Sequence, residues 1–285
     1  MPDSQNQYEL FPEGVKGYEF RLGDCIEGMT ALPADSIDLV VTSPPYNLGI
    51  KYGKYQDNKS SADYLAWTRE WVAEVTRVLK PTGSFFLNVG ASSKNPFLPH
   101  EVILEIRDLL TLQNTIHWIK SITVETVEGE TVSAGHFKPI NSKRFINDCH
   151  EYLFHLTHEG DVSLDRRGVG VPYVHKSNID RWGHTDGADK RCRGNTWFVP
   201  YKTIVKRDKD RPHPATFPAQ LAEYCVKLHG GDPAEIVMMD PFVGIGHAAI
   251  GARDAGVVNF VGFEIDEAYL EIARDKLAPP PENTA

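Results

Sequence analysis

The chain has 285 residues, enough for one large core or for a main domain with a smaller insertion, and its 41% hydrophobic and 24% charged content is that of an ordinary globular protein. A formal net charge of −9 excludes a chain that coats nucleic acid by bulk positive charge, though not one with a local basic cleft. The start, MPDSQNQYEL, has no basic region leading into an apolar run, and no apolar stretch approaches the roughly 20 residues that span a bilayer, so a cytoplasmic protein is expected.

In chain order, SIDLVV from Ser36 predicts a short buried strand that stops abruptly at TSPPYN. SADYLAWTREWVAEVTRVLKPTG follows as a helix, capped by Ser61 or Asp63, with apolar residues three and four apart and a KPTG stop. SFFLNVG predicts a buried strand, PHEVILEIRDLLTLQ a second amphipathic helix, and NTIHWIKS and HEYLFHLTH two further strands. The alternation implies a parallel sheet with crossovers.

From about Glu159 to Arg211 the periodicity dissolves into Gly, Asp, Arg and Asn, a length that marks a functional insertion or small lobe. Within or beside it Lys190, Arg191, Arg193, Lys202, Lys206, Arg207, Lys209 and Arg211 fall close together with few acids, as in a solvated face or a local basic cleft. Regularity returns with PAQLAEYCVKLHG, a helix after Pro218 closing at Gly230. EIVMMDPFVGIGHAAIGARDAG then predicts strand, Gly-rich turn and helix, NFVGFEID a strand ending in acids, and APPPENTA a frayed tail.

Cys25, Cys149, Cys192 and Cys225 lack the paired spacing of a zinc, iron-sulfur or redox site, so free thiols are expected. Cys149, His150, His155 and His158 alternate across a strand, which places them on different faces and argues against a metal there.

Gly244 and Gly246 sit at a strand-to-helix turn, where small residues let backbone approach a ligand and the helix start offers free N–H groups. Glu264 and Asp266, roughly 20 residues on, close the next strand where a carboxylate grips ribose hydroxyls. A nucleoside-containing cofactor is expected. Asp240, just before the turn, would repel a pyrophosphate and attract a positive end, which favours S-adenosylmethionine, a sulfonium carrying an amino group, over NAD. Too little chain follows Glu264 to complete a sheet, so this loop and TSPPY are expected to meet at one carboxyl edge.

TSPPY at Thr42 to Tyr46, then an irregular insertion, and only then DPFVGIG at Asp240 to Gly246, resembles the DNA amino-methyltransferases of bacterial restriction and modification systems, in the motif order of their beta group. The resemblance spans about residues 20 to 277. It implies a doubly wound, mostly parallel α/β sheet of the Rossmann-like S-adenosylmethionine-dependent methyltransferase type, with circularly permuted motif order and an irregular target-recognition insertion. The catalytic domain would cover residues 18–158 and 212–277, the insertion 159–211, and terminal segments 1–17 and 278–285. The cofactor would be held by Asp24 at the adenine, by Thr216 from RPHPATFP, and by Asp240, Pro241, Phe242, Gly244, Gly246 and Glu264. Double-stranded DNA is the implied partner, together with a restriction endonuclease acting on the same site.

The turn Ser43-Pro44-Pro45-Tyr46 suits that reaction. A nucleobase amino nitrogen is a poor nucleophile because its lone pair is delocalised into the ring, and acceptors aimed at its hydrogens favour a tetrahedral nitrogen and stabilise its developing charge. The Ser43 hydroxyl and the Pro44 carbonyl are such acceptors, the two prolines stiffen the turn and remove backbone donors, and Tyr46 can stack on a flipped base. No cysteine follows a proline, which discards carbon-5 cytosine chemistry. In the family, Ser before Pro-Pro-Tyr accompanies the 4-amino group of cytosine, so cytosine is expected, with adenine-N6 as the alternative and RNA or protein-glutamine methylation, an oxidoreductase or a silent DNA-binding module further behind. Arg166, Arg167, Lys190, Arg191, Arg193 and Asn195 are the candidates for contacting bases and phosphates.

Overall fold

The computed structural model describes residues 15–50, 53–137, 140–179, 181, 187–201 and 216–278. In chain order its strands are β1 (Tyr18–Leu22), β2 (Ile37–Thr42), β3 (Leu79–Val89), β4 (Thr111–Ile119), β5 (Ser121–Glu125), β6 (Thr131–Gly135), β7 (His150–Thr157), β8 (Thr196–Phe198), β9 (Val237–Asp240) and β10 (Asn259–Glu264). The helices are α1 (Cys25–Thr30), α2 (Ser61–Val78), α3 (Leu98–Glu105), α4 (Ala219–His229), α5 (His247–Asp254) and α6 (Glu267–Leu277). One sheet of eight strands runs β1-β10-β9-β2-β3-β7-β4-β8, and β5 with β6 forms a separate antiparallel hairpin.

Within the large sheet only β7 is reversed, pairing antiparallel with both β3 and β4; the chain thus adopts the mostly parallel α/β architecture that the resemblance implies, with β7 a departure from the parallel sheet expected from the alternation. Successive residues of the central strands enter opposite cores. Val40, Phe85 and Leu87 pack with Trp71, Val72 and Val102 on the side of α1 to α3. Leu39, Val41 and Phe86 pack with Leu221, Ala248 and Leu270 on the side of α4 to α6. Burial on both faces is why IDLVVT reads as a continuous apolar run rather than an alternating one. From β2 the chain winds toward β3, and from β9 toward β10. The crevice between β2 and β9 is therefore the switch point, where such sheets bind ligands.

Several elements differ from expectation. Ser60, not Ser61 or Asp63, caps α2: its hydroxyl accepts from the Asp63 amide at 3.1 Å and donates to the Asp63 carboxylate at 2.7 Å. The helix expected over residues 99 to 113 ends at Glu105, because Thr111 and Leu112 pair with Thr157 and Leu156 of β7 and so belong to β4. The stretch from 159 to 211, read as lacking regular structure, contains β8, and the hairpin of β5 and β6 was not foreseen. The tail APPPENTA, apart from Ala278, lies outside the described residues.

His155 on β7 is fully buried against Phe86, its ring 4.5 Å away and nearly parallel. Its Nδ1 lies 3.1 Å from the Asn114 amide nitrogen and its Nε2 3.1 Å from Ser84 Oγ, which in turn lies 3.0 Å from His229 Nδ1. A neutral ring satisfies this chain, accepting from Asn114 and donating to Ser84. Burial, with His229 nearby, lowers the His155 pKa to about 4 from an ordinary 6.5. The unfolded chain thus binds a proton below about 6.5 that the folded one refuses until about 4, so this stabilisation is complete above that window and lost on descending through it. About 3 kcal/mol of stability should disappear from this group between those pH values, and His155→Gln should flatten the corresponding part of the pH dependence in denaturant titrations.

Candidate active site

The turn after β2 and the loop after β9 meet in the crevice. Ser43, Pro44, Pro45 and Tyr46 line one pocket together with Asp24, Thr216, Asp240, Pro241, Phe242, Gly244 and Glu264. Gly246 lies just behind the lining as the N-cap of α5, at φ +85°, where a Cβ would come within 3.0 Å of the Ala273 Cβ.

The two motifs are joined directly. Thr42 Oγ1 donates to Asp240 Oδ1 at 2.5 Å, and the Phe242 amide donates to the same oxygen at 2.9 Å. Burial pushes the Asp240 carboxyl up to about 7, the two hydrogen bonds lowering it and nearby Glu264 raising it. Glu264 holds the Gly-rich turn by accepting from the amides of Gly244 at 3.0 Å and Asp266 at 2.9 Å, and burial raises its pKa as well. Asp24 caps α1 through the Ile26 amide at 2.8 Å, while the Gly23 amide donates to the Glu264 carbonyl. Phe242 is wedged at right angles against Trp71, with Trp67 beside it, which fixes the loop after Asp240.

The Ser-Pro-Pro-Tyr turn is fixed from outside. Asp57, nearly fully buried, accepts from the amides of Asn47, Leu48 and Ile50, and the Tyr64 hydroxyl donates to the Pro45 carbonyl at 2.7 Å. The Pro44 carbonyl accepts no hydrogen bond from the described residues, which leaves it available to a substrate. Ser43 Oγ lies 2.7 Å from the Tyr46 hydroxyl, which donates to Glu151 Oε2 at 3.0 Å. Asn88 Nδ2 lies 2.6 Å from the same hydroxyl and 2.7 Å from Glu151 Oε2. At Gly90 a Cβ would stand 2.9 Å from the Tyr46 ring and 3.1 Å from the Glu151 carboxyl carbon, so only glycine leaves them room.

Asn88 and Glu151 escaped the sequence reading, although a lone amide in the apolar strand SFFLNVG was a visible signal for the first. Among the described residues no group of His, Cys, Asp and Glu is arranged to hold a metal, and the four cysteines are free thiols.

The carboxylates of Asp24, Glu151, Asp240, Glu264 and Asp266 line this pocket, against Lys54 as its lysine. That donor set suits a cationic nucleoside and opposes a pyrophosphate. Asp240 would face the positive methionine end of S-adenosylmethionine and Glu264 its ribose.

The basic candidates stand elsewhere. Arg166, Arg167, Lys190 and Arg191 line a second pocket with Tyr173 and Cys192. The Asp165 amide donates to the Leu228 carbonyl, so this pocket adjoins the last turn of α4, about 16 Å along the helix from its start beside the first pocket. Arg193 is turned inward, its Nε donating to the Val169 carbonyl at 2.8 Å and its guanidinium stacked 4.8 Å over Tyr224. Asn195 donates to the Thr115 carbonyl at 2.9 Å and so secures β8 to β4. Lys202, Lys206, Arg207, Lys209 and Arg211 lie outside the described residues, as does most of the RPHPATFP segment before Thr216.

An α/β sheet whose switch point joins a Ser-Pro-Pro-Tyr turn to an acidic, Gly-rich nucleoside pocket defines an amino-methyltransferase. The family model for N6/N4 DNA methylases matches residues 37–275, and the chain belongs to that family. It is a DNA methyltransferase with S-adenosylmethionine as its cofactor. Similar proteins include the type II methyltransferase M.ScaI of Streptomyces caespitosus, 30% identical over 90% of this chain and 79% of the relative. The DNA adenine methyltransferase YhdJ of Escherichia coli K12 is 26% identical over 90% of this chain and 81% of its own. Among solved structures, the cytosine-N4-specific PvuII DNA methyltransferase shares the fold with a TM-score of 0.68 at 18% identity, covering 96% of this chain and 92% of that one. No helix among the described residues is long and apolar enough to cross a membrane.

Because Asp240 must be ionised to attract a cation, cofactor affinity should fall by about tenfold from pH 8 to pH 6. Asp240→Asn should bind more weakly at pH 8 and lose that dependence, as titration calorimetry would measure.

Proposed function

We propose that the protein is a beta-group, cytosine-N4 methyltransferase acting on a defined sequence in duplex DNA. The observation that carries this reading is Ser43 at the head of a clamped Pro-Pro-Tyr turn, beside Asp240 and next to a Pro44 carbonyl that no described residue occupies. S-adenosylmethionine supplies an electrophilic methyl group when bound. Ser43 Oγ and the Pro44 carbonyl accept the two amino hydrogens of a flipped cytosine and turn its nitrogen lone pair toward that methyl. The Tyr46 ring stacks on the base, worth about 1 to 3 kcal/mol, comparable to the few kcal/mol that unstacking costs. Adenine N6 is the second reading, favoured by the likeness to YhdJ.

Residues 159–211 serve target recognition, with 18–158 and 212–277 forming the catalytic domain. Arg166, Arg167, Lys190 and Arg191, beside the far end of α4, hold phosphates flanking the target rather than reading its base. The likeness to type II methyltransferases supports a cognate restriction endonuclease sharing the site, with both enzymes at work in the cytoplasm.

Incubation with unmethylated genomic DNA and S-adenosylmethionine, followed by nucleoside mass spectrometry, should yield N4-methyldeoxycytidine. N6-methyldeoxyadenosine instead would reject Ser43 as a selector of cytosine. Ser43→Ala should lower the methyl-transfer rate on the order of 100-fold with calorimetric cofactor affinity within about twofold of the native protein. Replacing Lys190 or Arg191 with Ala should reduce the salt slope of DNA binding by about one each, in fluorescence anisotropy at several ionic strengths.

A further inference from the structure

Methylating an exocyclic amino group leaves one proton too many on the nitrogen, and that proton has to reach a base. The two groups that touch the amino hydrogens are unsuited to keep it, since a protonated alcohol or carbonyl is a strong acid. Among the described residues, the side chains bonded to Ser43 are Tyr46 and Asn88; both also bond Glu151 Oε2, but only the Tyr46 hydroxyl can take up one proton while giving up another, which a neutral amide does not do. We propose that Glu151 is the terminal acceptor of the substrate's amino proton, reached through the hydroxyls of Ser43 and Tyr46. This rests on the amino-methyltransferase reading of Ser43.

The order of donors in the network follows from its charges. The Tyr46 hydroxyl has two acceptors in reach besides Ser43, the Glu151 carboxylate at 3.0 Å and the neutral Asn88 carbonyl at 3.3 Å. The nearer, ionised oxygen takes its proton. Tyr46 Oη then accepts from Asn88 Nδ2 and from Ser43 Oγ, so the Ser43 hydrogen is committed to Tyr46 and its oxygen is left to accept from the substrate. Glu151, whose side chain is 13% exposed, therefore orients Ser43 as an acceptor before it receives anything. Lys120 Nζ, 3.2 Å from the other Glu151 oxygen, balances its charge and stands on the adjoining end of β4.

The step balances. As the nitrogen takes the methyl, one amino N–H bond breaks and its proton passes to Ser43 Oγ. The proton already on Ser43 passes to Tyr46 Oη, and that of Tyr46 to Glu151 Oε2. Both hydroxyls end as they began, and Glu151 ends as a carboxylic acid that returns its proton to solvent once product leaves.

A Glu151 that only tied β7 to its neighbours would predict different behaviour in single-turnover assays on a duplex carrying the mapped site. With the relay, Glu151→Gln and Tyr46→Phe each slow methyl transfer by about 10²- to 10⁴-fold. The double variant is no slower than the worse single one, because both break one path. Cofactor affinity by calorimetry and base flipping by 2-aminopurine fluorescence stay within about twofold in Glu151→Gln. Glu151→Asp keeps part of the rate, and formate in the buffer restores Glu151→Ala. A Glu151→Gln rate within threefold of the native one, losses that multiply in the double variant, or a fall in affinity or flipping that matches the fall in rate would each overturn the relay. A native protein that itself methylates no DNA would instead bring down the function reading, and the relay with it.

Discussion

The hydrogen bond from Thr42 to Asp240 joins the last residues of two central strands, both buried, at the one place where the sheet opens. Nearly 200 residues of chain separate the two partners. Their contact places the rigid turn that follows Thr42 against the loop that follows Asp240, so that in the proposed reaction the sheet itself would bring the amino group and the methyl donor together. The remaining machinery secures this meeting: Glu264 on one side through the Gly244 amide, and Phe242 between two tryptophans on the other.

Rigidity in the Ser-Pro-Pro-Tyr turn has two sources. The prolines limit the turn from within. Asp57 and Tyr64 limit it from without, through backbone amides and a carbonyl whose bonds do not depend on side chains in the pocket. Asn47, at φ +55°, makes the bend that brings the following amides onto Asp57, and an Asn tolerates that left-handed geometry better than most residues. In the proposed reaction the contacts to the amino group fall to Ser43 Oγ and the Pro44 carbonyl, while these outside bonds hold the turn in place.

Much of this was legible in the residues, where local signals and fold agree. The run IDLVVT, the amphipathic α2 and the sequence from β9 through α5 to β10 each carry a periodicity or a Gly-rich turn with one reading. Elements defined by distant partners were not legible. β8 is three residues long, and Trp197 is buried only because β4 and α4 lie beneath it. The strand character of Thr111 and Leu112 comes from β7, some 45 residues away, and overrides an apparently continuous helix. Glu151 gave no sign of its place, since only the reversed direction of β7 brings its first residues to the catalytic edge. Nor were the contacts of Arg193 and Asn195 legible, since they depend on Tyr224 and Thr115, far off in the sequence.

The reversal of β7 has a wider consequence. Because β4 leaves the sheet and β7 re-enters it on the same edge, the connection between them carries the β5 and β6 hairpin, which forms a sheet of its own apart from the large one. A segment anchored this way works as a socket. Its contents can lengthen, shorten or be exchanged without re-pairing a strand, and closing a loop twice as long costs only about 0.6 kcal/mol. Conservative chemistry and freely varying surroundings can therefore coexist on one edge of one sheet.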